Sequence, residues 1–424
     1  MNIAFVHQPI EPGVIPPSTS VAIWAHQASR RLAAENQVFA YARPERFTSR
    51  ARVHDGVHWR PIRVGPDRLL ERILKRAATT RDPNRPRVSS ATHYLGYISQ
   101  IALALRRIDA PIVQLFNFSQ FAPVVRALNP RARIVLRMSC EWLTQFDRGL
   151  IAPRVDSVDL IVGCSDFITE RIRRAFPTAA DRCVTVHNGR DVEALAPPEA
   201  APRRPDRVRR LLYVGRISPE KGVHVLLEAL AIVVARFPNV RLEIIGGHIQ
   251  LPYDYLVGLH GVPDRVQALS RFYRGDSPRA YSEMLEAQCH ELKLDDHVEF
   301  TGGLAHEDLV GRYHRADVLV FPSVWDEPSG NPPIEAMAAG VPVVSTRTGG
   351  TAEYVSDGVT GLLAPPEDPA AVANAILRLL ENDEQRASMG VAARRRVVEL
   401  FSYETLAQEL QGHYTRLAEA ESRS

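Results

Sequence analysis

The sequence predicts an α/β protein built from two doubly wound domains. The chain has 424 residues, which is too long for one ordinary domain and suits two that each bury a core. Short β-like runs alternate with helical patterns, and such alternation implies parallel sheets with crossover helices. The alternation stops at a segment rich in proline and arginine, from Leu195 to Arg210, and then restarts. This segment is interpreted as an interdomain linker.

The first domain is predicted from apolar runs that are bounded by polar residues. Strands are expected at Asn2–His7, Gln37–Ala42, Ala110–Leu115, Ala132–Met138 and Leu160–Cys164. Helices are expected at Val21–Ala34, Tyr97–Arg107 and Asp166–Ala175, where apolar residues recur with helical spacing. Residues 1–195 are therefore assigned to an N-terminal domain and residues 196–210 to the linker.

The second domain repeats the alternation after the linker. Strands are expected at Leu211–Val214, Val240–Gly246, Val298–Thr301, Val318–Pro322 and Val341–Thr346. Helices are expected at Gly222–Phe237, Tyr281–Leu292, Leu309–Ala316, Ile334–Ala339 and Pro369–Asn382. Residues 211–402 form this domain, and residues 403–424 form a terminal helix that packs on either domain, a return to the N-terminal one included. The two domains are expected to face each other across a cleft, with ligands at the carboxyl ends of their strands.

Composition and charge narrow the class of protein. The chain is 45% hydrophobic and 24% charged, as globular proteins are, and its net charge of +3 is too small to indicate a nucleic-acid partner. Its four cysteines form no C-x-x-C pair, which suits a reducing compartment. The N-terminus lacks the basic start of a signal peptide, and no stretch of eighteen apolar residues follows. A cytoplasmic location is expected. The histidines show no metal-like spacing, so no metal site is expected.

The first motif that carries chemistry follows a predicted strand and opens a helix. It runs from Val214 to Gly222 and contains Gly215, Arg216 and Lys221. A glycine turn before a helix N-terminus favours an anion, because backbone N–H groups and the helix dipole point towards it. The two cations are able to reach one diphosphate from different sides. The alternative is an ordinary βα turn with solvated surface charges.

The second motif places two carboxylates eight residues apart. Glu327 lies in a loop after a predicted strand, and Glu335 lies inside a short helix. Asn331 is predicted as the N-cap of that helix, Pro332 as its first residue, and Gly340 as its end. A loop carboxylate beside a helix start is well placed to accept hydrogen bonds from sugar hydroxyls. The alternative is an exposed loop and a solvated helical glutamate.

Together these motifs resemble the family 4 retaining glycosyltransferases, part of glycosyl transferases group 1. The resemblance rests on GRISPEKG, on the pair Glu327 and Glu335, and on TVHNGRD, FTGGL and STRTGGTAEYV. It covers the C-terminal half well and the N-terminal half loosely. It implies the GT-B fold, in which two Rossmann-like domains face each other across a cleft.

The resemblance also implies a role for each matching residue. Arg216 and Lys221 would neutralise the donor diphosphate, Glu327 would bind the donor sugar, and Glu335 the ribose. Further donor contacts are expected at Gly13, Gly215, Gly302, Gly303, Leu304, Ser329, Gly330 and Asn331. Transfer in similar enzymes retains the anomeric configuration, without a metal, a cofactor or a protein nucleophile.

Several positions depart from the family pattern. Relatives usually carry paired glycines near the first strand, whereas this chain has Gly13 and then Ser18–Ser20. Where relatives often place histidines after N-domain strands, this chain has Phe116 and Ser139. Asn117, Ser139 and Glu141 are therefore weak candidates for the acceptor side. Pro332 and Pro333 remove two N–H donors from the start of the motif helix.

Two segments add open questions about partners. Residues 248–279 look like an insertion, either a flap over the nucleotide or partner contact, or a plain surface excursion. Residues 60–87 carry nine Arg or Lys against three acids, with Leu69, Leu70, Ile73 and Leu74 as an apolar stripe. Such a helix suits either peripheral contact with the inner membrane face or packing with a solvated basic face.

The sequence thus predicts a hexosyltransferase that uses a nucleotide diphosphate sugar. UDP is favoured over GDP on family frequency alone, and the acceptor is a glycan, a lipid-linked molecule or a small molecule. The rival interpretations are another activity on the same fold, such as an epimerase or a phosphorylase, and a non-catalytic nucleotide-sugar-binding scaffold.

Overall fold

A computed structural model describes residues 1–11, 13, 17, 19–44, 50–77, 82, 84–198, 208–250, 253, 256–258, 262–273 and 280–419. For residues 73–77 it describes the backbone only. The chain forms two compact units, Met1–Gly189 together with Tyr403–Ser424, and Arg190–Ser402. We call them unit 1 and unit 2.

The strands and helices follow the predicted alternation closely. The strands are β1 Asn2–Val6, β2 Gln37–Ala42, β3 Arg52–His54, β4 Val57–Pro61, β5 Ile112–Phe116, β6 Arg133–Met138, β7 Leu160–Gly163, β8 Cys183–Thr185, β9 Arg209–Val214, β10 Val240–Ile245, β11 Val298–Gly302, β12 Val318–Phe321, β13 Val343–Thr346 and β14 Gly361–Ala364. The helices are α1 Ser20–Leu32, α2 Gly65–Ala77, α3 Leu95–Ile108, α4 Phe121–Leu128, α5 Trp142–Gln145, α6 Arg148–Asp156, α7 Asp166–Ala175, α8 Val223–Arg236, α9 Asp264–Gln267, α10 Ala280–Glu291, α11 His306–Tyr313, α12 Asn331–Ala338, α13 Thr351–Tyr354, α14 Pro369–Glu381, α15 Asp383–Leu400 and α16 Tyr403–Glu419.

Unit 1 is organised around a sheet with the strand order β3-β4-β2-β1-β5-β6-β7-β8. Its strands pair in parallel, except for β3, which is antiparallel to β4. Both faces of the sheet are covered by apolar side chains, which is why the central strands are mostly apolar rather than alternating. Successive strands are added on one side of β1 up to β4 and on its other side from β5 onwards. Ligands bind at such switch points in open α/β sheets.

The terminal helix α16 packs within unit 1. Tyr403, Leu406, Leu410 and Tyr414 join the core that also contains Trp24 of α1. The Tyr414 hydroxyl donates a hydrogen bond to Oε1 of Gln114 on β5, at 2.6 Å. Both side chains are buried, so the bond satisfies two polar groups that would otherwise be costly. The helix therefore covers one face of the unit 1 sheet.

Unit 2 is organised around a parallel sheet with the order β11-β10-β9-β12-β13-β14. Helices α8, α10 and α14 contribute to the core on one face, and α12 and α15 to the core on the other. Successive strands are added on one side of β9 up to β11 and on its other side from β12 onwards. The loops after β9 and β12 therefore flank the switch point of the sheet. Across the described residues of both units, no helix is long and apolar enough to cross a bilayer.

Candidate active site

The candidate site of unit 2 is built from the loops that follow β9 and β12. These strands pair in parallel, with Val318 opposite Leu211 and Leu319 opposite Leu212, so their carboxyl ends point the same way. Arg216 and Lys221 follow β9, and Glu327 follows β12. The two predicted motifs are far apart in the sequence, and the sheet brings them together.

The loop after β9 ends in a turn that only glycine fits. A 3-10 turn spans Pro219–Lys221, Gly222 has φ 71°, and α8 begins at Val223. A Cβ atom on Gly222 would lie 2.0 Å from the carbonyl oxygen of Pro322. Glycine is therefore required both by the left-handed backbone and by the close approach of the β12 loop. This contact sets the Lys221 side chain beside the second motif.

Lys221 and Glu327 form the central ion pair of the site. The Lys221 Nζ atom lies 2.6 Å from Oε1 of Glu327, and the Ser323 hydroxyl donates to the same oxygen at 2.7 Å. Only 4% of Glu327 is exposed. A buried carboxylate is stabilised by such charge-assisted bonds and is held in one orientation.

Arg216 is held by a second carboxylate, Glu220. The Arg216 guanidinium lies 3.0 Å from Oε1 of Glu220, and the Ser218 hydroxyl donates to that oxygen at 2.7 Å. Glu220 is fully buried, and its Oε2 atom has no hydrogen-bond partner. Burial raises the pKa of the neighbouring Tyr213 well above its usual value, with Tyr281, Glu220 and Glu327 adding to the shift. Tyr213 is therefore a neutral hydroxyl, which donates to the Arg216 carbonyl at 2.8 Å.

The backbone of the β12 loop is fixed by the loop after β13. Gly350 donates its N–H to the Glu327 carbonyl at 2.7 Å. Gly349 has φ 47°, and a Cβ atom there would lie 2.2 Å from that carbonyl oxygen. The paired glycines in STRTGGTAEYV thus allow one loop to pack directly against the residue that carries the Glu327 carboxylate.

The prediction of the α12 start is wrong by one residue. Asn331 is the first residue of the helix, and Gly330, with φ 72°, is the N-cap. A Cβ atom on Gly330 would lie 2.4 Å from Oγ1 of Thr351, so the neighbouring α13 selects glycine there. Asparagine is a favoured N-cap because its side chain accepts a backbone N–H of the first turn. The N-cap here is Gly330, which has no side chain and makes no such bond.

Glu335 lies on α12 and is nearly buried. Its Oε2 atom accepts a hydrogen bond from the Tyr313 hydroxyl at 2.7 Å, and its Oε1 atom lies 3.2 Å from Nε of Arg190. Burial, followed by the Glu335 charge, raises the pKa of Tyr313 well above its usual value. Sequence reasoning missed both partners. Arg190 stands in the quoted TVHNGRD segment, so its motif was a usable signal, whereas Tyr313 resembles any core position of a helix.

The predicted base-side residues lie at the carboxyl ends of β10 and β11. Gly302 has φ 80°, and its carbonyl accepts the N–H of Gly246 at 2.9 Å. Gly303 is exposed and Leu304 is partly buried. Ser329, in the β12 loop, shares a 2.8 Å hydrogen bond with the Tyr354 hydroxyl.

The weaker candidates of unit 1 lie after β5 and β6. Oδ1 of Asn117 accepts the N–H of Ser139 at 2.7 Å, and Glu141 forms an ion pair with Arg171 at 3.1 Å. Gly13 donates its N–H to the Arg43 carbonyl at 2.7 Å, while Ser18 lies outside the described residues.

His7 is predicted as the last residue of the first strand, but β1 ends at Val6. It follows β1 directly, is 6% exposed, and has no hydrogen-bond partner at Nε2. Burial, aided by the nearby His26, lowers the pKa of His7 to about 4.

Comparison with known proteins agrees with this geometry. Residues 199–396, which contain both unit 2 motifs, match the family described as glycosyl transferases group 1. The matched residues span most of unit 2. The Bacillus subtilis (strain 168) protein YtcC, named as a glycosyltransferase, is 28% identical over 356 residues, which cover 78% of this chain and 81% of YtcC.

Two solved structures show that the fold is GT-B. Sucrose-phosphate synthase from Thermosynechococcus elongatus matches with a TM-score of 0.73 at 22% identity, covering 99% of each chain. The Anabaena protein HepE in complex with UDP and glucose matches with a TM-score of 0.68 at 18% identity, covering 97% of this chain and 99% of that one. This chain therefore has the GT-B fold, with two Rossmann-like α/β units.

Proposed function

We propose that the chain is a retaining, metal-independent hexosyltransferase of family 4 that uses a UDP-sugar donor. The observation that carries the proposal is the buried Lys221–Glu327 pair at the switch point of unit 2, with Arg216 held nearby by Glu220. In such a pair the Lys221 ammonium can contact the diphosphate, and the Glu327 carboxylate can accept a hydrogen bond from a sugar hydroxyl. That UDP is the nucleotide is supported by the similarity to HepE, whose structure contains UDP and glucose.

In this proposal each residue has a separate task. Arg216 and Lys221 stabilise the charge that develops on the leaving diphosphate. Glu327 accepts hydrogen bonds from donor sugar hydroxyls. Glu335 accepts from the ribose with lone pairs that Tyr313 and Arg190 leave over, since a carboxylate has about four. The backbone of residues 302–304 contacts the base, and that of residues 329–331 contacts the sugar and phosphate.

The proposed reaction needs no nucleophile from the protein. The acceptor hydroxyl attacks the anomeric carbon on the face that the nucleotide leaves, while the bond between that carbon and the diphosphate oxygen breaks. The acceptor proton passes to the leaving phosphate. The contribution of the protein is then positioning and electrostatic stabilisation.

We assign the acceptor to residues 1–195 and the donor to residues 211–402, with 196–210 as the linker and 403–424 as the terminal helix. Asn117, Ser139 and Glu141 are the candidate acceptor contacts, and Gly13, in the same domain, is a candidate donor contact. The acceptor is a glycan, a lipid-linked molecule or a small molecule, and we place the enzyme in the cytoplasm. Contact with the inner membrane face through residues 60–87 is supported by Leu69 and Leu70 of α2, which are 60% and 37% exposed. The side chains of Ile73 and Leu74 lie outside the described residues.

The first test is a thermal-shift panel of UDP, GDP, ADP and their common sugar conjugates. A ligand that binds only the folded state at about 100 times its Kd adds roughly 2.7 kcal/mol to the unfolding free energy. A raised midpoint with UDP and a UDP-hexose is the expected result. A shift with GDP conjugates alone would mean that the donor nucleotide is GDP rather than UDP. No shift with any nucleotide would count against a donor site.

Substitution tests the site assignment directly. Glu327→Ala and Arg216→Ala are each expected to lower turnover at least about tenfold, since each removes a charged contact worth over ~1.4 kcal/mol in the transition state. Glu384→Ala, which removes an exposed carboxylate of α15, is the matched control and keeps the wild-type rate. Turnover is measured as release of UDP from the UDP-hexose, and a donor that binds without any release in the wild type would favour the scaffold alternative.

A further inference from the structure

The described part of the insertion packs against the loop that carries Glu327. Leu256, Val257, Val266 and Leu269 form a small core with Val225 of α8 and with Val324, which lies in the β12 loop. Trp325 of the same loop packs against this core. The described residues of the insertion therefore do not form a plain surface excursion. Residues 274–279 and several others of the insertion lie outside the described part of the chain.

Arg265, on α9 of the insertion, grips the β12 loop at two points. Its Nη2 atom donates to Oδ1 of Asp326 at 2.7 Å, and its Nε atom donates to the Val324 carbonyl at 2.9 Å. The side chains of Arg265 and Asp326 are 27% and 21% exposed, so water screens this pair only partly. A planar guanidinium with two fixed donors restrains the loop in direction as well as in distance.

Two further anchors of the loop involve the carbonyl of Glu220, in the turn after β9. Val324 donates its N–H to the Glu220 carbonyl at 2.9 Å, and the Ser323 Oγ atom lies 3.1 Å from the same carbonyl oxygen. The segment from Ser323 to Glu327 thus lies between the turn that carries Lys221 and the insertion that carries Arg265. Asp326 directly precedes Glu327, so a change in the Asp326 anchor is transmitted to the Glu327 carboxylate.

We propose that Arg265 is a positioning residue: by holding Asp326 and the Val324 carbonyl, it keeps the Glu327 carboxylate oriented for the hydroxyls of the donor sugar. The inference rests on the proposed function, because it presumes that Glu327 binds the sugar. It assigns to the insertion a task in sugar binding rather than in nucleotide binding. The effect of removing Arg265 should therefore fall on the sugar and spare the nucleotide.

The test compares the affinities for UDP and for a UDP-hexose. Isothermal titration calorimetry gives both Kd values, with the UDP-hexose that produces the largest thermal shift among UDP-glucose, UDP-galactose and UDP-N-acetylglucosamine. R265Q and D326N are each expected to weaken UDP-hexose binding at least about fivefold and UDP binding less than about twofold, as E327Q does. The R265Q/D326N double variant should be no weaker than R265Q, because D326N removes only a contact that R265Q already lacks. R265K should recover part of the loss, since an ammonium keeps the bond to Asp326 and loses the fork.

R271Q is the matched control. Arg271 lies in the same insertion, is exposed, and stacks 4.6 Å from the Phe272 ring rather than on the β12 loop. R271Q should bind both ligands like the wild type. D326N removes the carboxylate charge of the other partner, so the test does not depend on whether R265Q folds.

Two results would overturn the inference in different ways. If E327Q selectively weakens UDP-hexose binding while R265Q and D326N behave like R271Q, or weaken both ligands equally, Arg265 does not position Glu327 and the proposed function still stands. If the wild type binds none of these nucleotides, or if E327Q leaves the UDP-hexose affinity unchanged, the proposed function fails, and with it the inference that depends on it.

Discussion

At the scale of single residues, Gly222 shows how two distant motifs depend on one another. Its φ of 71° is costly for other residues, and the Pro322 carbonyl occupies the position that a Cβ atom would take, at 2.0 Å. The first constraint comes from the turn after β9, and the second comes from the β12 loop. Neither loop can keep its place if a side chain is added, so the Lys221–Glu327 pair depends on a residue with no side chain.

Gly222→Ala is therefore expected to lower the unfolding free energy by at least about 2 kcal/mol, through backbone strain and the contact with Pro322. Gly358→Ala is the control, because Gly358 also has a positive φ, 78°, but meets no atom within 4 Å. The control should lose only about 1 kcal/mol, from the left-handed backbone. Urea unfolding of both variants measures the difference, and equal losses would show that the close approach has no energetic weight.

His7 makes stability depend on pH. Its pKa is about 4 in the folded chain, because burial disfavours the charged ring, against 6.5 for an unperturbed histidine. The unfolded chain therefore binds a proton first as the pH falls. The stabilisation is fully present above pH 6.5 and is lost between about pH 6.5 and pH 4, by on the order of 3 kcal/mol at most.

The measurement for His7 is the unfolding free energy of the wild type and of His7→Gln from pH 7 to pH 4. The variant should lose less stability over this interval, because it lacks the group that protonates. His224, whose pKa burial lowers to about 3, remains in both proteins and cancels in the comparison. Parallel pH curves would contradict the assignment.

At the scale of elements, α16 is the clearest case of a helix whose place is fixed by its apolar face. Leu410 and Tyr414 are fully buried in the core beneath it, one helical turn apart. Residues four apart lie on one face of a helix, so a single stripe is enough to attach α16 to unit 1. The sequence shows this stripe, but a stripe does not name the surface it will cover.

Leu410→Ala should lower the unfolding free energy by about 3 kcal/mol, since it removes buried methyl groups and leaves a cavity. Leu400→Ala, at the end of α15, is the control, because Leu400 is 48% exposed, and it should stay within about 0.5 kcal/mol of the wild type. Chemical denaturation of the two variants gives the comparison. A loss at Leu410 no larger than at Leu400 would mean that α16 is not held by this core.

At the scale of the whole molecule, the charged motif residues of the candidate donor site gather in one of two units. Arg216, Lys221, Glu327 and Glu335 all belong to Arg190–Ser402, although 119 positions separate the first from the last in the numbering. The loops after β9 and β12 meet because the parallel sheet aligns the ends of its strands. A nucleotide sugar should therefore protect a few short segments of unit 2 rather than the whole chain.

Hydrogen exchange with and without UDP measures this protection. The amides of residues 215–222 and 326–335 are expected to exchange more slowly when UDP is bound, because ligand contacts suppress local opening. Residues 52–61, which contain β3 and β4 of unit 1, provide an internal control and should not change. Protection confined to unit 1 would move the donor site away from these motifs.

The sequence by itself determined much of the fold. Apolar runs and helical spacing located most strands and helices to within a few residues, since burial on both faces of a parallel sheet leaves a strong local pattern. Two motifs, each contiguous in the chain, identified Arg216, Lys221, Glu327 and Glu335 as candidates. The tertiary structure decided which distant groups meet these residues: Tyr313 and Arg190 contact Glu335 from elements outside the motif, and no local spacing specifies these contacts.

The tertiary structure also decided the helix start at Gly330 and the contacts of the insertion. Asn331 has the better capping chemistry, yet Thr351 leaves no room for a side chain at residue 330, and this neighbour comes from another element. The contact of Arg265 with Asp326, 61 positions later, likewise exists only in the folded chain. Secondary-structure propensity depends on adjacent residues, so the sequence shows it. The room for a side chain and the charge at a site depend on residues that only the folded chain brings together.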